Sequence, residues 1–492
     1  MRSHLARRTI ARRALVLAGA AVLTVPFATS SAFAATSSRA TLAGSTPSWA
    51  TSGRMVGSPS ASTKISFNVV LPLRNSATAD KLAADVSNPK SASYGHYLTA
   101  AQFNARFAPT SAQVNKVAAF LRGAGISVTG TAQGNRWIQA SATVSQVNTA
   151  FSTTLHNYSY KGHVMHAPSR SLSVPSSIAS LIAGVVGVTN DGALRTPASI
   201  TTPAGAGADS STGPSDALPP PSTCSTFWDQ HEQTGPEAYG KTSFPTPNCG
   251  YSAKQIRTAY KTQSAVQAGN TGRGVTVAII DAYAAPNVEA DTNALSVMNG
   301  EPQFTAGQLT QTTFTPFNLQ TECGGEAGWN EEETLDVQAV HGMAPGANIH
   351  YVGAMNCDTG IDDAVNFVIQ NHVANIVSNS YGFLGEDGLG DEVATEHSMF
   401  TQAAVQGIGF YFSSGDFGDN TTVGAPHPEP DFPASDPLVT AVGGTSLAVT
   451  SSNNYLFETS WGNNLSSTNT ATSPSSYNPA PPGAFLSGAG GG

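Results

Sequence analysis

Glu332 and Asp336 stand four residues apart in the run Glu332-Glu333-Thr334-Leu335-Asp336, and Ala344-Pro345-Gly346-Ala347 follows shortly after. In a helix, that spacing projects both carboxylates from one face, one turn apart. Like charges so placed cost a surface helix about 0.2–0.5 kcal/mol, so the pair is a poor choice for stability alone. Two adjacent carboxyls that share a proton can instead form a general base that works in acid. The competing reading is a solvated acidic helix face.

Such a pair needs a scaffold. Residues 274–280 form a continuous apolar run rich in Val and Ile, bounded by Gly and Asp, which suits a buried parallel strand. Residues 348–352, 376–378 and 408–412 repeat the pattern, with helical stretches at 251–260, 362–370 and 396–406. Strands alternating with helices predict a doubly wound α/β sheet whose site lies beyond the carboxyl ends of the strands. Upstream the pattern differs. Residues 63–75 alternate as a half-buried strand, and 77–86 and 111–122 read as helices, the second capped by Thr110 or Ser111. Residues 126–130 and 136–142 read as strands, 144–151 as a helix and 156–160 as a strand, an order that predicts a compact α+β module of ferredoxin-like type. Between the two regions, 191–247 is dominated by Pro, Gly, Ser and Thr around Pro219-Pro220-Pro221, the composition of a linker.

The first 35 residues read as a signal peptide. Arg2, Arg7, Arg8, Arg12 and Arg13 precede an apolar run over 14–25, and Ala32-Phe33-Ala34 supplies a small-residue cleavage site. The run is too short for a membrane span and ends at Pro26, so the expectation is secretion without a membrane anchor. In an exported chain the four cysteines, Cys224, Cys249, Cys323 and Cys357, read as disulfides. Proximity favours 224–249 and 323–357, although three pairings exist, and none of the four has zinc-ligand spacing.

The formal charge of −9 is unevenly spread. Residues 36–195 carry thirteen Lys/Arg against three Asp/Glu, whereas 196–492 carry five against twenty-nine. A basic module ahead of an acidic one suggests that the two dock, and it argues against nucleic acid as a partner of the acidic part. On that reading, acid would release the basic module as carboxylates protonate between about pH 5 and 3.

Several stretches carry a family resemblance. YGHYLTAAQFNARFAPT (94–110), Ala150-Phe151 and GVVGVTN (184–190) resemble the activation prosegment of the sedolisins, the serine-carboxyl peptidases. Glu332-x-x-Leu335-Asp336 with MAPGANI (343–349), SSGDFG (413–418) and DFPASDPLVTAVGGT (431–445) are similar to motifs of the sedolisin peptidase domain. The resemblance implies a subtilisin-like doubly wound parallel sheet, incomplete here, behind a ferredoxin-like prosegment that inhibits it intramolecularly. It implies domains at 1–35 (signal peptide), 36–190 (prosegment), 191–247 (linker with the processing region) and 248–492 (the first two-thirds of the peptidase domain). It also implies Glu332 as general base, Asp336 as its orienting partner, Asp416 as a protonated oxyanion stabiliser, and Ser380 and Gly382 in SNSYG (378–382) as substrate-cleft wall. A carboxylate base in place of imidazole moves the working range to acid, because free Glu titrates near pH 4.3.

Two residues are set aside. His341 directly precedes Ala-Pro-Gly-Ala, which in subtilisins follows well after the catalytic histidine. Asp281, at the end of the first strand, is at most a supporting residue. The family's nucleophile stands in a Ser-Gly-Thr-Ser motif that occurs nowhere in the 492 residues, and its calcium ligands are expected beyond residue 492; no residue here is assigned to a metal. The resulting expectation is a secreted, acid-acting endopeptidase zymogen cleaving proteins or peptides, supplied as a fragment that is inactive because it is truncated. The alternative is a non-catalytic product that binds or inhibits another peptidase.

Overall fold

The computed structural model describes residues 38–197, 225–238, 240–245, 250–418, 420 and 427–460. The N-terminal module is built on strand β1 (Lys64–Val70), followed by helices α1 (Ser76–Ser87), α2 (Ala100–Phe107) and α3 (Ser111–Gly123). Strands β2 (Ser127–Thr131) and β3 (Trp137–Thr143), helix α4 (Val144–Phe151) and strand β4 (Gly184–Val186) complete it. The four strands form an antiparallel sheet in the order β2-β3-β1-β4, the ferredoxin-like arrangement expected from the sequence. Helices α2, α3 and α4 start with Thr99, Thr110 and Thr143, each closing a capping box with a Gln three residues on. Val114, Val117 and Leu121 of α3 and Val147 and Phe151 of α4 pack on Phe67, Val69, Ile138 and Ala140 of the sheet.

Beyond this module a short strand, β5 (Thr196–Pro197), leads into the α/β region. There, after helix α5 (Ala253–Ala259), come β6 (Thr276–Ala282), helix α6 (Val288–Asn299), β7 (Leu309–Thr313), helix α7 (Glu326–Met343) and β8 (Asn348–Ala354). Helix α8 (Thr359–Asn371), β9 (Ile376–Asn379), β10 (Tyr381–Gly382), helix α9 (Asp391–Gln406), β11 (Gly409–Ser413) and β12 (Thr440–Val442) follow. Six strands make one parallel sheet in the order β7-β8-β6-β9-β11-β12. The order reverses about β6, so the carboxyl ends of β6 and β9 flank a switch point, where α/β sheets place their ligands. Each apolar run seen in the sequence is one of these strands; Ile279, Ile280, Val352, Val377 and Phe412 are fully buried. The strand the sequence hides is β7. It lies at the sheet edge among the described residues and reads Leu-Thr-Gln-Thr-Thr, without an apolar run.

The two modules share a core. Val70, Trp137 and Val186 pack in one cluster with Val365, Phe400 and Phe410, and Phe103 and Phe107 pack with Val405. Helices α8 and α9 provide the polar partners. Trp137 Nε1 and Gln139 Nε2 donate to the two oxygens of Asp363 at 3.0 and 2.9 Å, Val185 N–H donates to Asp391 at 2.8 Å, and Asn104 donates to Gln370 at 2.8 Å. Composition predicts docking led by opposite charge. The contacts are instead largely apolar or hydrogen bonds between groups that are not ion-paired, including those of Arg136 to Ser398 and Lys161 to the Leu384 carbonyl, and among the described residues every ion pair between the modules is made by Arg195. Several other module cations bond locally, as Lys81 does to Asp85 and Arg74 to the Asn104, Ala105 and Ala108 carbonyls. Segment 191–197, which has the composition of a patternless linker, folds as a 3-10 turn (Asp191–Leu194) followed by β5, which pairs antiparallel with β10. Composition misses this order because it depends on a partner strand.

Candidate active site

Helix α7 carries the acidic pair. Its sheet-facing side holds Trp329, Glu332, Glu333, Asp336 and Val337, all buried, so Glu332 (3 % exposed) and Asp336 (6 %) face inward rather than onto a solvated surface. The helix is held at its start. The Cys323–Cys357 disulfide, with Cα atoms 5.6 Å apart, ties its approach to the turn before α8, and Trp329 Nε1 donates to the Cys323 carbonyl at 3.1 Å. This is one of the two pairings favoured by proximity. Cys224 and Cys249 lie outside the described residues.

Ser380, between β9 and β10, donates its Oγ proton to Asp336 Oδ1 at 2.8 Å. Asp281, at the carboxyl end of β6, is fully buried, and neither of its oxygens has a hydrogen-bond partner among the described residues. Glu333 accepts the Ala285 N–H and stands beside the Tyr351 hydroxyl. Four carboxyl groups thus crowd the switch point. Burial raises all of them: Glu332 to about 9, with the neighbouring Asp336 and Asp416 adding to the shift and Ser380 opposing it; Asp336 to about 7, again opposed by Ser380; Glu333 to about 8. Asp281 is pushed well above the usual carboxylate range by burial and then by Asp336, Glu332 and Glu333. In this docked form the cluster therefore stores protons, whereas the sequence alone predicts a base titrating near pH 4.3.

Asp416 sits in the loop after β11. Gly415 takes a left-handed φ of 106°, Asp431 N–H donates to the Ser414 carbonyl at 3.0 Å, and Asn420 Nδ2 donates to Asp431 Oδ1 at 2.7 Å. Asp416 is half-buried, close enough to Glu332 to raise it, and is itself raised by burial. A neutral Asp416 can donate a hydrogen bond toward developing negative charge. Gly382 pairs with Thr196 across the β5–β10 ladder, so the segment expected as cleft wall carries an extended peptide on it.

The two residues set aside separate. His341 is buried one end of α7 away, with Nε2 2.8 Å from the Pro302 carbonyl and its ring 4.1 Å from that of Phe304. Asp281 joins the acid cluster. Sequence reasoning misses Glu333, whose adjacency to Glu332 is the available signal: on a helix fully buried along this face, neighbours 100° apart both point inward.

The calcium implied by the resemblance finds no fit among the described residues. Asp387, His427 and Glu429 offer an imidazole to a hard cation that prefers six to eight oxygens, and Asp362, Glu392 and Glu396 already surround a guanidinium.

The Pro-kumamolisin, activation domain family matches residues 51–190, and the Subtilase family matches residues 320–486. Sedolisin of Pseudomonas sp. (strain 101) is 28% identical over 410 residues, 81% of this chain and 62% of that protein. Xanthomonalisin of Xanthomonas sp. (strain T-22) is 27% identical over 488 residues, 90% of this chain and 53% of that protein. The solved Pseudomonas sedolisin complexed with two molecules of pseudo-iodotyrostatin aligns over 43% of this chain and 58% of its own, at 29% identity and a TM-score of 0.37. The chain thus spans between half and two-thirds of the length of these two curated relatives. It carries a Pro-kumamolisin-type activation domain ahead of a Subtilase-family domain, and it is similar to sedolisin and xanthomonalisin.

Proposed function

We propose that this sequence encodes the zymogen portion of a secreted, acid-acting serine-carboxyl endopeptidase that hydrolyses peptide bonds in proteins. The observation that carries the reading is the strand pair β5–β10: the segment just after the activation domain lies as an added antiparallel strand on Tyr381–Gly382, directly beside Ser380 and the acidic pair. That is how a peptide substrate would lie, and it accounts for inhibition by occupancy.

Glu332 acts as the base. It takes the proton of an attacking serine hydroxyl and returns it to the leaving amine, after which water hydrolyses the acyl-enzyme with the same carboxylate as base. Asp336 orients Glu332, Ser380 holds Asp336, and neutral Asp416 donates to the oxyanion. An ionised Asp416 would repel that oxyanion, which favours acid working conditions. The raised Glu332 keeps the base protonated while the activation domain is docked. Departure of β5 admits water and brings the pair down toward the acid range.

The test uses the protein encoded by the whole reading frame, because the 492 residues contain no Ser-Gly-Thr-Ser sequence. Acid proteolysis by that protein, abolished by Glu332→Gln, supports the reading. Proteolysis retained in Glu332→Gln refutes the assigned base, and a stop codon directly after residue 492 refutes the zymogen.

A further inference from the structure

Arg195 immediately precedes β5, and its side chain is fully buried inside the α/β domain. Its NH1 donates to the Cys357 and Asp358 carbonyls at 3.0 and 3.2 Å. Its NH2 meets Glu392 and Glu396, both at 2.5 Å, with Asp362 at 3.6 Å. The guanidinium carbon stands 4.6 Å from the centre of the Phe383 ring. The walls of this pocket come from α8, α9 and the strand end after β10, not from the activation domain. Both Asp362 oxygens, Glu392 Oε2 and Glu396 Oε2 are buried without a hydrogen-bond partner among the described residues. Three carboxyl groups around one guanidinium are more than an anchor for a single cation requires.

Because β5 lies on β10 in substrate fashion, this pocket receives the side chain just upstream of the two paired residues. We propose that it is an arginine-accepting substrate subsite of the peptidase cleft, filled in this chain by Arg195. The inference rests on the peptidase reading and names its substrate class: proteins with an arginine a few residues upstream of the cleaved bond. Arginine fits better than lysine, because two carbonyls and two carboxylates are met by separate arms of a planar fork that faces an aromatic ring. A compact ammonium reaches only part of that set.

Two experiments test it. In the full chain, Arg195→Ala should lower the thermal midpoint, and millimolar ethylguanidinium should restore it while ethylammonium and N-ethylurea do not. The rescue should vanish in Arg195→Ala/Glu396→Gln. No rescue, or equal rescue by all three compounds, overturns a guanidinium-selective pocket. The second needs no variant that must fold. The protein from the whole reading frame, activated in acid, is given a peptide series with Arg, Lys, citrulline or Leu placed singly at each position upstream of the cleaved bond. The expected result is one position at which Arg exceeds neutral, nearly isosteric citrulline by roughly tenfold or more in kcat/KM. Cleavage of every peptide at equal rates overturns the subsite and leaves the peptidase reading standing. Cleavage of none overturns the peptidase reading, and with it the subsite, reducing the pocket to an anchor for Arg195.

Discussion

The hydroxyl of Ser380 is bonded to Asp336 Oδ1 at 2.8 Å. A residue that the sequence places in the cleft wall is thus the hydrogen-bond donor that opposes the effect of burial on the acidic pair. Ser380→Ala removes that donor and leaves Asp336 buried with neither oxygen bonded to another described residue. The expected cost is about 1–3 kcal/mol at pH 8, where the carboxylate most needs its donor, and less at pH 4. Thermal unfolding at the two pH values measures the difference. Equal losses at both would show that the hydroxyl serves packing alone.

The carboxyl cluster makes acid the stabilising condition. Glu332, Glu333 and Asp336 are raised to about 9, 8 and 7, and Asp281 lies well above its ordinary range, whereas all four titrate near pH 4 in the unfolded chain. Between those limits the folded state binds more protons, so stability falls as pH rises. The contribution is fully present below about pH 4 and is lost as pH climbs through 7 to 9. The thermal midpoint should therefore be higher at pH 4.5 than at pH 8, and Glu332→Gln should flatten the slope by raising the pH 8 value. A midpoint that rises with pH would sink this account of the cluster.

Docking of the activation domain should follow a related rule. Asp363 and Asp391 bond to Trp137, Gln139 and Val185 and are raised to about 6 by burial at that interface. Groups raised on docking favour the docked state at lower pH, and their contribution fades as pH rises through 6. Exchange of the Val185 amide, which donates to Asp391, should be slower at pH 5 than at pH 7.5 after correction for intrinsic rate. A steady loss of protection from pH 7 downward would restore the charge-led release expected from composition.

Much of this architecture is legible in the chain itself, and the exceptions share a cause. Thr99, Thr110 and Thr143, each three residues before a Gln, mark helix starts locally, and the runs around Ile279, Val352 and Phe412 mark central strands because a strand covered on both faces must be apolar throughout. The spacing of Glu332 and Asp336 sets their shared face; burial of that face becomes visible only once the helix is laid on the sheet. What stays hidden depends on distant partners. The strand Leu309–Thr313 needs Ile349–Gly353 to be a strand at all, Arg195 sits in a Gly/Pro/Ser context that gives no sign of an acidic pocket, and Glu333 differs from a solvated neighbour only through Ala285 and Tyr351. Charge composition misleads for the same reason, since net charge does not specify which cations reach the interface.

Gly382 shows how tightly the Tyr381–Gly382 strand is fixed. It pairs with Thr196 on one side, and a Cβ added to it would stand 2.9 Å from Asp431 Cβ and 3.0 Å from the Phe432 carbonyl on the other. Neither neighbour is the free end of a flexible chain, so the 431–432 segment would have to move. That segment is held to β10 through paired Phe383 and Phe432 backbone bonds of 2.8 and 3.0 Å, and to the Asp416 loop through Asn420. Gly382→Ala should therefore cost about 1–3 kcal/mol and loosen the Asp416 loop with it. In the full chain this should appear as a lower thermal midpoint together with faster exchange of the Phe383 and Asp431 amides. An unchanged midpoint with unchanged protection would mean that the segment yields freely, and that close packing at Gly382 does not position Asp416.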